Sequence, residues 1–257
     1  MVHHQSEDYN LSTALRQTSS GWVAGWLFCL PMAVLGSPPL VFASVALIDL
    51  LYQYWVHTQQ IGRLGWFDRW FCAPSNHRVH HAVNDKYLDK NYGGILIVWD
   101  RLFGSFIEED DAEPCVYGTR GPLCSWNPLW ANLQVYAEMA RDSWRAASWS
   151  DKLRVWRRHP GWRPSDVAAK WPKAAVDISA VKRYDPPLSR AAAWAALLLF
   201  VLVLNATTAF LWLAHTLSLA QQGVAAAGIV AGLWLIGVVC TPRAAAVSAQ
   251  REPAAPA

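Results

Sequence analysis

The chain has 257 residues, 16 of them Trp, and 53% of it is hydrophobic, which is too apolar for an ordinary soluble domain. A formal charge of +3 is too small to suggest a nucleic-acid partner. The five cysteines (Cys29, Cys72, Cys115, Cys124 and Cys240) form no C-x-x-C pair and are odd in number, which excludes a disulfide framework and favours structural thiols on a reducing face.

In chain order, Val2-His3-His4 comes first and reads as the tail of an H-x-x-H-H pattern whose first His would precede Met1. His3 follows Met1 too closely for a signal peptide to intervene. Two apolar runs follow, Trp22 to Leu35 and Leu40 to Val56, separated by Gly36-Ser37-Pro38-Pro39. Each is shorter than the roughly 20 residues of a full crossing, so together they predict a helical hairpin of two short spans or a re-entrant pair. His57 emerges from the second run, and a polar group at such a depth is a functional candidate by default.

Residues 58 to about 110 are dense in Gly, aromatic and charged residues and contain Asn76-His77-Arg78-Val79-His80-His81. On a helix the three histidines fall at i, i+3 and i+4, so the imidazoles share one face and can converge on a metal. Three neutral imidazoles with few Cys suit iron, zinc or copper. Without a shared ligand they would cost solvation and repel one another when protonated. His159, before Pro160, and His215, at the end of an apolar run, read as a loop residue and an interface residue.

Residues 126 to about 188 read as amphipathic helix broken by Pro160, Pro164 and Pro172, with Trp and Arg interleaved. That pattern fits either an interfacial surface on anionic lipid or packing on the catalytic core. Ala191 to His215 is long enough to cross a bilayer with some tilt, and Gly223 to Cys240 nearly so. Trp22, Tyr52, Tyr54, Trp55, Trp194 and Trp212 lie near run ends, where interfacial aromatics belong. Residues 251–257 form a Pro/Ala tail expected to be disordered.

Of the 22 Lys and Arg, 19 lie between Ile61 and Arg190, with Arg16, Arg243 and Arg251 outside. The positive-inside rule puts this middle segment in the cytoplasm, and two hairpins return the chain to that side each time. The His pair, His57 and the H-x-x-H-H then meet on one face. The predicted fold is all-α and integral to the membrane, with helical hairpins and a cytoplasmic His-rich helical cap. Its divisions are 1–110 (hairpin about 22–56), a cytoplasmic segment 111–190, a membrane hairpin 191–240 and a tail 241–257.

At this point the residues carry a resemblance. The H-x-x-H-H, then Tyr87-Leu88-Asp89-Lys90-Asn91-Tyr92-Gly93-Gly94, then Trp99-Asp100-Arg101-Leu102-Phe103-Gly104-Ser105-Phe106, resemble the C-terminal signature of the fatty acid hydroxylase / sterol desaturase superfamily. Residues 2–17 are similar to its middle motif, closest to an alkylglycerol monooxygenase-like bacterial branch, and Tyr54-Trp55-Val56-His57-Thr58 matches the His after the second hairpin. The resemblance covers residues 1 to about 110 and is weak beyond.

It implies a membrane-bound non-haem di-iron enzyme (zinc can stand in structures) that uses O2 to hydroxylate or desaturate a lipid such as a sterol, fatty acyl or alkylglycerol. His3, His4, His57, His77, His80 and His81 would be metal ligands, and Asn10, Arg16, Asn91 and Asp100 would orient them. Breaking an unactivated C–H bond needs an oxidant that a cofactor, not a side chain, supplies. No flavin, cytochrome b5 or iron–sulfur motif is visible, so a separate reductase or a pterin would be the electron donor. A bacterial inner membrane, with the metal on the cytoplasmic face, is the implied location.

The family's upstream H-x(3-4)-H and the first His of its middle motif are missing. Met often fills the second slot of that motif in the family, so Met1 reads as an internal methionine and the start as late. Two alternatives stay open: a non-catalytic membrane metal or haem binder, and a truncated scaffold. Haem needs one axial His from each of two facing helices, which does not explain an H-x-x-H-H.

Overall fold

The structure is a computed structural model that describes residues 2–16, 21, 25–159, 161–173, 177–178 and 183–241. Trp22, Gln17, Pro160, Arg243, Arg251 and the tail from 242 lie outside the described residues. The chain divides into two compact units, Met1–Leu123 with Ala175–Lys182, and Cys124–Ala174 with Arg183–Ala257. Among the described residues the only β pairing is two isolated bridges, Phe71 with Leu96 and Ala82 with Tyr117, so the fold is helical as expected.

In the first unit a 3-10 turn (His3–Gln5) precedes α1 (Leu11–Ala14), which Asn10 caps by accepting from the Ser12 amide at 2.9 Å. The first apolar run is not one helix. A 3-10 stretch, Gly25–Cys29, runs into α2 (Leu30–Val34), because Pro31 lacks an amide hydrogen and fits only at a helix start. The chain then reverses at Gly36. Its φ of +80° lets the Ser37 amide reach Met32 O and the Gly36 amide reach Ala33 O, both at 3.0 Å. Pro39 starts α3 (Pro39–Val56), an 18-residue helix about 27 Å long at 1.5 Å per residue. Short helices α4 (Phe67–Trp70), α5 (Pro74–His81) and α6 (Val98–Phe103) follow, with Val79, Ala82 and Tyr87 forming the buried core beneath α5.

In the second unit Asn127 caps α7 (Pro128–Arg145), which is followed by α8 (Trp149–Arg154) and α9 (Ser165–Lys170). Arg163 grips the Asp142 carboxylate with two hydrogen bonds, of 2.7 and 3.1 Å, and so fixes the segment before α9 to α7. Then come α10 (Arg190–Leu213) and α11 (Leu219–Cys240), capped by Ser189 and Ser218. A β-carbon at Gly232 would lie 2.5 Å from Val203 Cγ2, so glycine is what lets α10 and α11 approach this closely.

Among the described residues three helices are long and apolar enough to cross a membrane: Pro39–Val56, Arg190–Thr216 and Leu219–Cys240. The first and third are only 6% buried and the second is not buried at all. Leu, Val and Phe side chains exposed on that scale are stable against lipid rather than water. The protein is an integral membrane protein.

Candidate metal centre

Two elements deliver four of the six histidines. Helix α5 carries His77, His80 and His81, and His57 ends α3 as the residue after its last turn. Pro74 starts α5, and Asn76 anchors its first turn by donating to the carbonyls of Asp68 and Phe71 at 3.1 and 3.2 Å. The 3-10 turn at the N-terminus supplies His3 and His4. Ser6, just after that turn, accepts from Thr13 Oγ1 of α1 at 3.4 Å.

The rings converge. His77 Nε2 stands 3.1 Å from His57 Nε2 and 3.2 Å from His81 Nε2, and His57 Nε2 is 3.4 Å from His3 Nε2. Imidazole nitrogens bound at about 2.0–2.1 Å to one tetrahedral ion stand about 3.3–3.4 Å apart, so the donor set fits a single cation. His3, His57, His77 and His81 form one group whose ligand atoms all lie within 4.8 Å of one another. His4, His80 and His81 form a second group by the same measure. His81 belongs to both, and a neutral imidazole offers one lone pair, so six histidines make one full four-nitrogen set and one incomplete set.

The tautomers are set by backbone. A carbonyl can only accept, so His57 Nδ1 donates to Gln53 O at 2.6 Å and His80 Nδ1 to Lys90 O at 3.3 Å. Each Nε2 lone pair is thereby left for a cation. His77 Nδ1 sits 3.8 Å from Cys72 Sγ, whose thiol burial pushes up to about 12, keeping the sulfur neutral. Burial is the largest cause lowering each histidine of the cluster: His3 falls to about 4, with the charge of His57 next in effect, and His4 to about 2, with that of His80 next. His77 and His81 are lowered as well, again by burial first. Neutral imidazole is the form that ligates metal.

The other expected site residues act at a distance or stand apart. Asn91, fully buried with φ +53°, donates to Asn76 O and Ile107 O and accepts from the Ile107 amide, which sets the Lys90 carbonyl beneath His80. Asp100 accepts from the amides of Tyr92 and Gly93 and from Ser105 Oγ, closing the loop before α6. Asn10 caps α1, bonding Ser12 and Thr13 rather than a histidine. Arg16 is exposed just past α1 and its side chain makes no hydrogen bond among the described residues. His159 and His215 are exposed and outside the cluster.

Two further residues shape the site without having been singled out from sequence. Tyr9 is buried between His57 and His81, with ring centroids 5.6 and 5.1 Å away, and its hydroxyl donates to Val56 O at 3.0 Å. Arg78, inside the H-x-x-H-H, forks onto Glu109 with bonds of 2.7 and 2.6 Å and donates to Thr58 O and Ile61 O at 3.0 and 2.8 Å. It locks α5 to the segment that follows His57.

A sequence model of the Fatty acid hydroxylase family matches residues 1–105, the stretch that holds all six histidines. Residues 1–105 thus belong to the fatty acid hydroxylase superfamily. An alkylglycerol monooxygenase of Xenopus tropicalis is 40% identical over 186 residues, which are 72% of this chain and 41% of that protein. That of Homo sapiens is 41% identical over 163 residues, 63% of this chain and 36% of that one. An ornithine lipid hydroxylase of Rhizobium tropici is 32% identical over 77 residues, 30% of this chain and 23% of that protein. The chain thus spans 36–41% of the two alkylglycerol monooxygenases, and the likeness to the Xenopus protein runs past the 110 residues that carry the motifs. No solved structure matches it.

Proposed function

We propose that the chain belongs to a membrane-bound non-haem iron oxygenase that hydroxylates a lipid. The observation that carries this reading is the buried set of four imidazoles, His3, His57, His77 and His81, at the end of a membrane-length helix. In this reading they hold one iron, and His4 with His80 contribute to a second. Four nitrogens gathered on one point favour a bare ion over haem, which needs two ligands across a porphyrin plane. With O2 and electrons, bound iron supplies the oxidant that attacks a C–H bond.

The protein's own share is preorganisation. Gln53 and Lys90 hold the imidazole protons away from the centre, Arg78 ties the segment after His57 to α5, and Tyr9 closes one side against water. Electrons come from a separate donor, a reductase or a pterin, and the Lys/Arg excess between Ile61 and Arg190 favours a cytoplasmic centre on a bacterial inner membrane. The relatives' names, alkylglycerol monooxygenase and ornithine lipid hydroxylase, favour an alkylglycerol or an amino-acid-bearing lipid, with hydroxylation preferred to desaturation.

The test is turnover of lipids in membranes containing the iron-loaded chain, a reductant and isotopically labelled O2. One labelled oxygen atom in a lipid product, lost on His77→Ala, is the expected result. Unlabelled lipid in every case contradicts the reading for this chain.

A further inference from the structure

Asp49 is the single acidic residue in the three membrane-length helices. A carboxylate in that setting is costly and marks a functional site by default. It stands on the wall of a groove of about 410 Å³, within the size range of small-molecule sites. The remaining wall is almost wholly apolar, with Val41, Phe42, Val45 and Ala46 of α3 facing Leu96 and Trp99.

Polarity is graded along this groove. Val41 and Phe42 lie toward the Gly36 turn with Ser37 as the one polar residue there, whereas the carboxylate of Asp49 lies with Gly94 at the end nearer His57. Gln53 Nε2 donates to Asp49 Oδ2 at 2.6 Å, and the Gln53 carbonyl accepts from His57 Nδ1 at 2.6 Å. Asp49, Gln53 and His57 therefore form one stripe at i, i+4 and i+8, about 12 Å long at 1.5 Å per residue. Gly94 closes over it: a β-carbon there would lie 2.8 Å from Asp49 Oδ1 and 3.0 Å from Gln53 Nε2. Among the described residues no side chain donates to Oδ1.

We propose that this groove seats a single-chain lipid whose headgroup donates a hydrogen bond to Asp49 Oδ1, with the hydrocarbon chain laid along Val41 to Ala46, away from the histidines. The placement rests on the lipid-hydroxylase reading for the chemistry near the headgroup, but not for the binding itself. A hydroxyl or an ammonium gains a charge-assisted hydrogen bond at this oxygen. A fatty-acid carboxylate or a phosphate brings like charge to the same point in a low-dielectric wall. Asp49 thus selects hydroxyl- or amine-bearing lipids over anionic ones.

The experiment uses the full chain in lipid nanodiscs and an alkylglycerol bearing a photoreactive diazirine at mid-chain. Peptide mapping should find the label on residues 41–46 and 96–99. An unlabelled alkylglycerol or alkylamine should displace it at least about tenfold better than a fatty acid of equal chain length, a difference of about 1.4 kcal/mol. Whichever of the two wins identifies the donor, hydroxyl or ammonium. Asp49→Asn should bring the fatty acid to within about threefold of the alkylglycerol by removing the like charge. Ala46→Trp, which fills the groove and keeps Asp49, should abolish labelling there with iron per chain unchanged, and serves where Asp49→Asn does not fold.

Labelling elsewhere, equal displacement by the fatty acid, or undiminished labelling in Ala46→Trp overturns the proposal. Groove labelling in a chain that binds no iron would remove the oxygenase reading and leave the groove. Iron-dependent hydroxylation without groove labelling does the reverse.

Discussion

Replacing Arg78 with Met removes four hydrogen bonds at once: two to Glu109, one to Thr58 O and one to Ile61 O. The Arg78 and Glu109 side chains are only 9% and 16% exposed, so the substitution leaves a nearly buried carboxylate without its cation. Breaking one side of such a pair costs about 3–5 kcal/mol, which dominates the loss of two carbonyl bonds. The cost falls locally, because Thr58 and Ile61 follow His57 while Arg78 lies between His77 and His80. Opening of this region should therefore become on the order of 10²- to 10⁴-fold more populated. Amide hydrogen exchange of peptides covering 57–64 and 74–82, in nanodiscs, reads that change directly. Arg78→Lys keeps the charge but loses the fork and should fall between. Adding Glu109→Leu to Arg78→Met removes the orphaned charge and should recover much of the protection. An increase below about tenfold for Arg78→Met, or no recovery in the double variant, would mean that the Arg78–Glu109 pair does not hold this region closed.

Gly93→Ala should lower the midpoint of thermal unfolding in detergent more than Gly94→Ala, because its β-carbon meets Leu96 O at 2.6 Å, a backbone atom, whereas Gly94's meets side-chain ends. Gly232→Ala should loosen the α10–α11 hairpin by about 1–3 kcal/mol, and Val203→Ala should relieve it, read as exchange of the Val201–Thr207 amides. Asp142 is held below the usual carboxylate range, first by its hydrogen bond to Arg163. That stabilisation is full above about pH 4 and is lost as pH falls through the lower folded value, so α7–α9 should open in acid and Asp142→Asn should flatten the profile. His57→Ala and His77→Ala should each reduce tightly bound iron by more than His4→Ala, measured as metal per chain after dialysis against a weak chelator.

Much of this was legible locally. The H-x-x-H-H lies on a helix as its spacing predicts, and the two C-terminal runs became α10 and α11 within a few residues. The first apolar run broke at Pro31, a signal present in the sequence that apolar content alone overrides. What periodicity could not reveal is pairing across distance. Tyr9 reaches Val56 over 47 positions and Arg78 reaches Glu109 over 31, and neither leaves a local pattern. Nor does spacing show that His77 joins His3 and His57 while His80 joins His4, since one helical face presents both. Asp49 was visible as a lone acid in an apolar run, but only the groove beside it gives that residue a use.

The central claim, that the imidazole cluster is an iron site, is tested most directly by loading the detergent-purified chain with ferrous iron under anaerobic conditions. Iron is then counted per chain and its ligand shell read by X-ray absorption, with His77→Ala alongside. At least one iron per chain in an imidazole-nitrogen shell, lost in the variant, is the expected result. Iron near zero, a haem absorption band, or binding indifferent to His77 would contradict it.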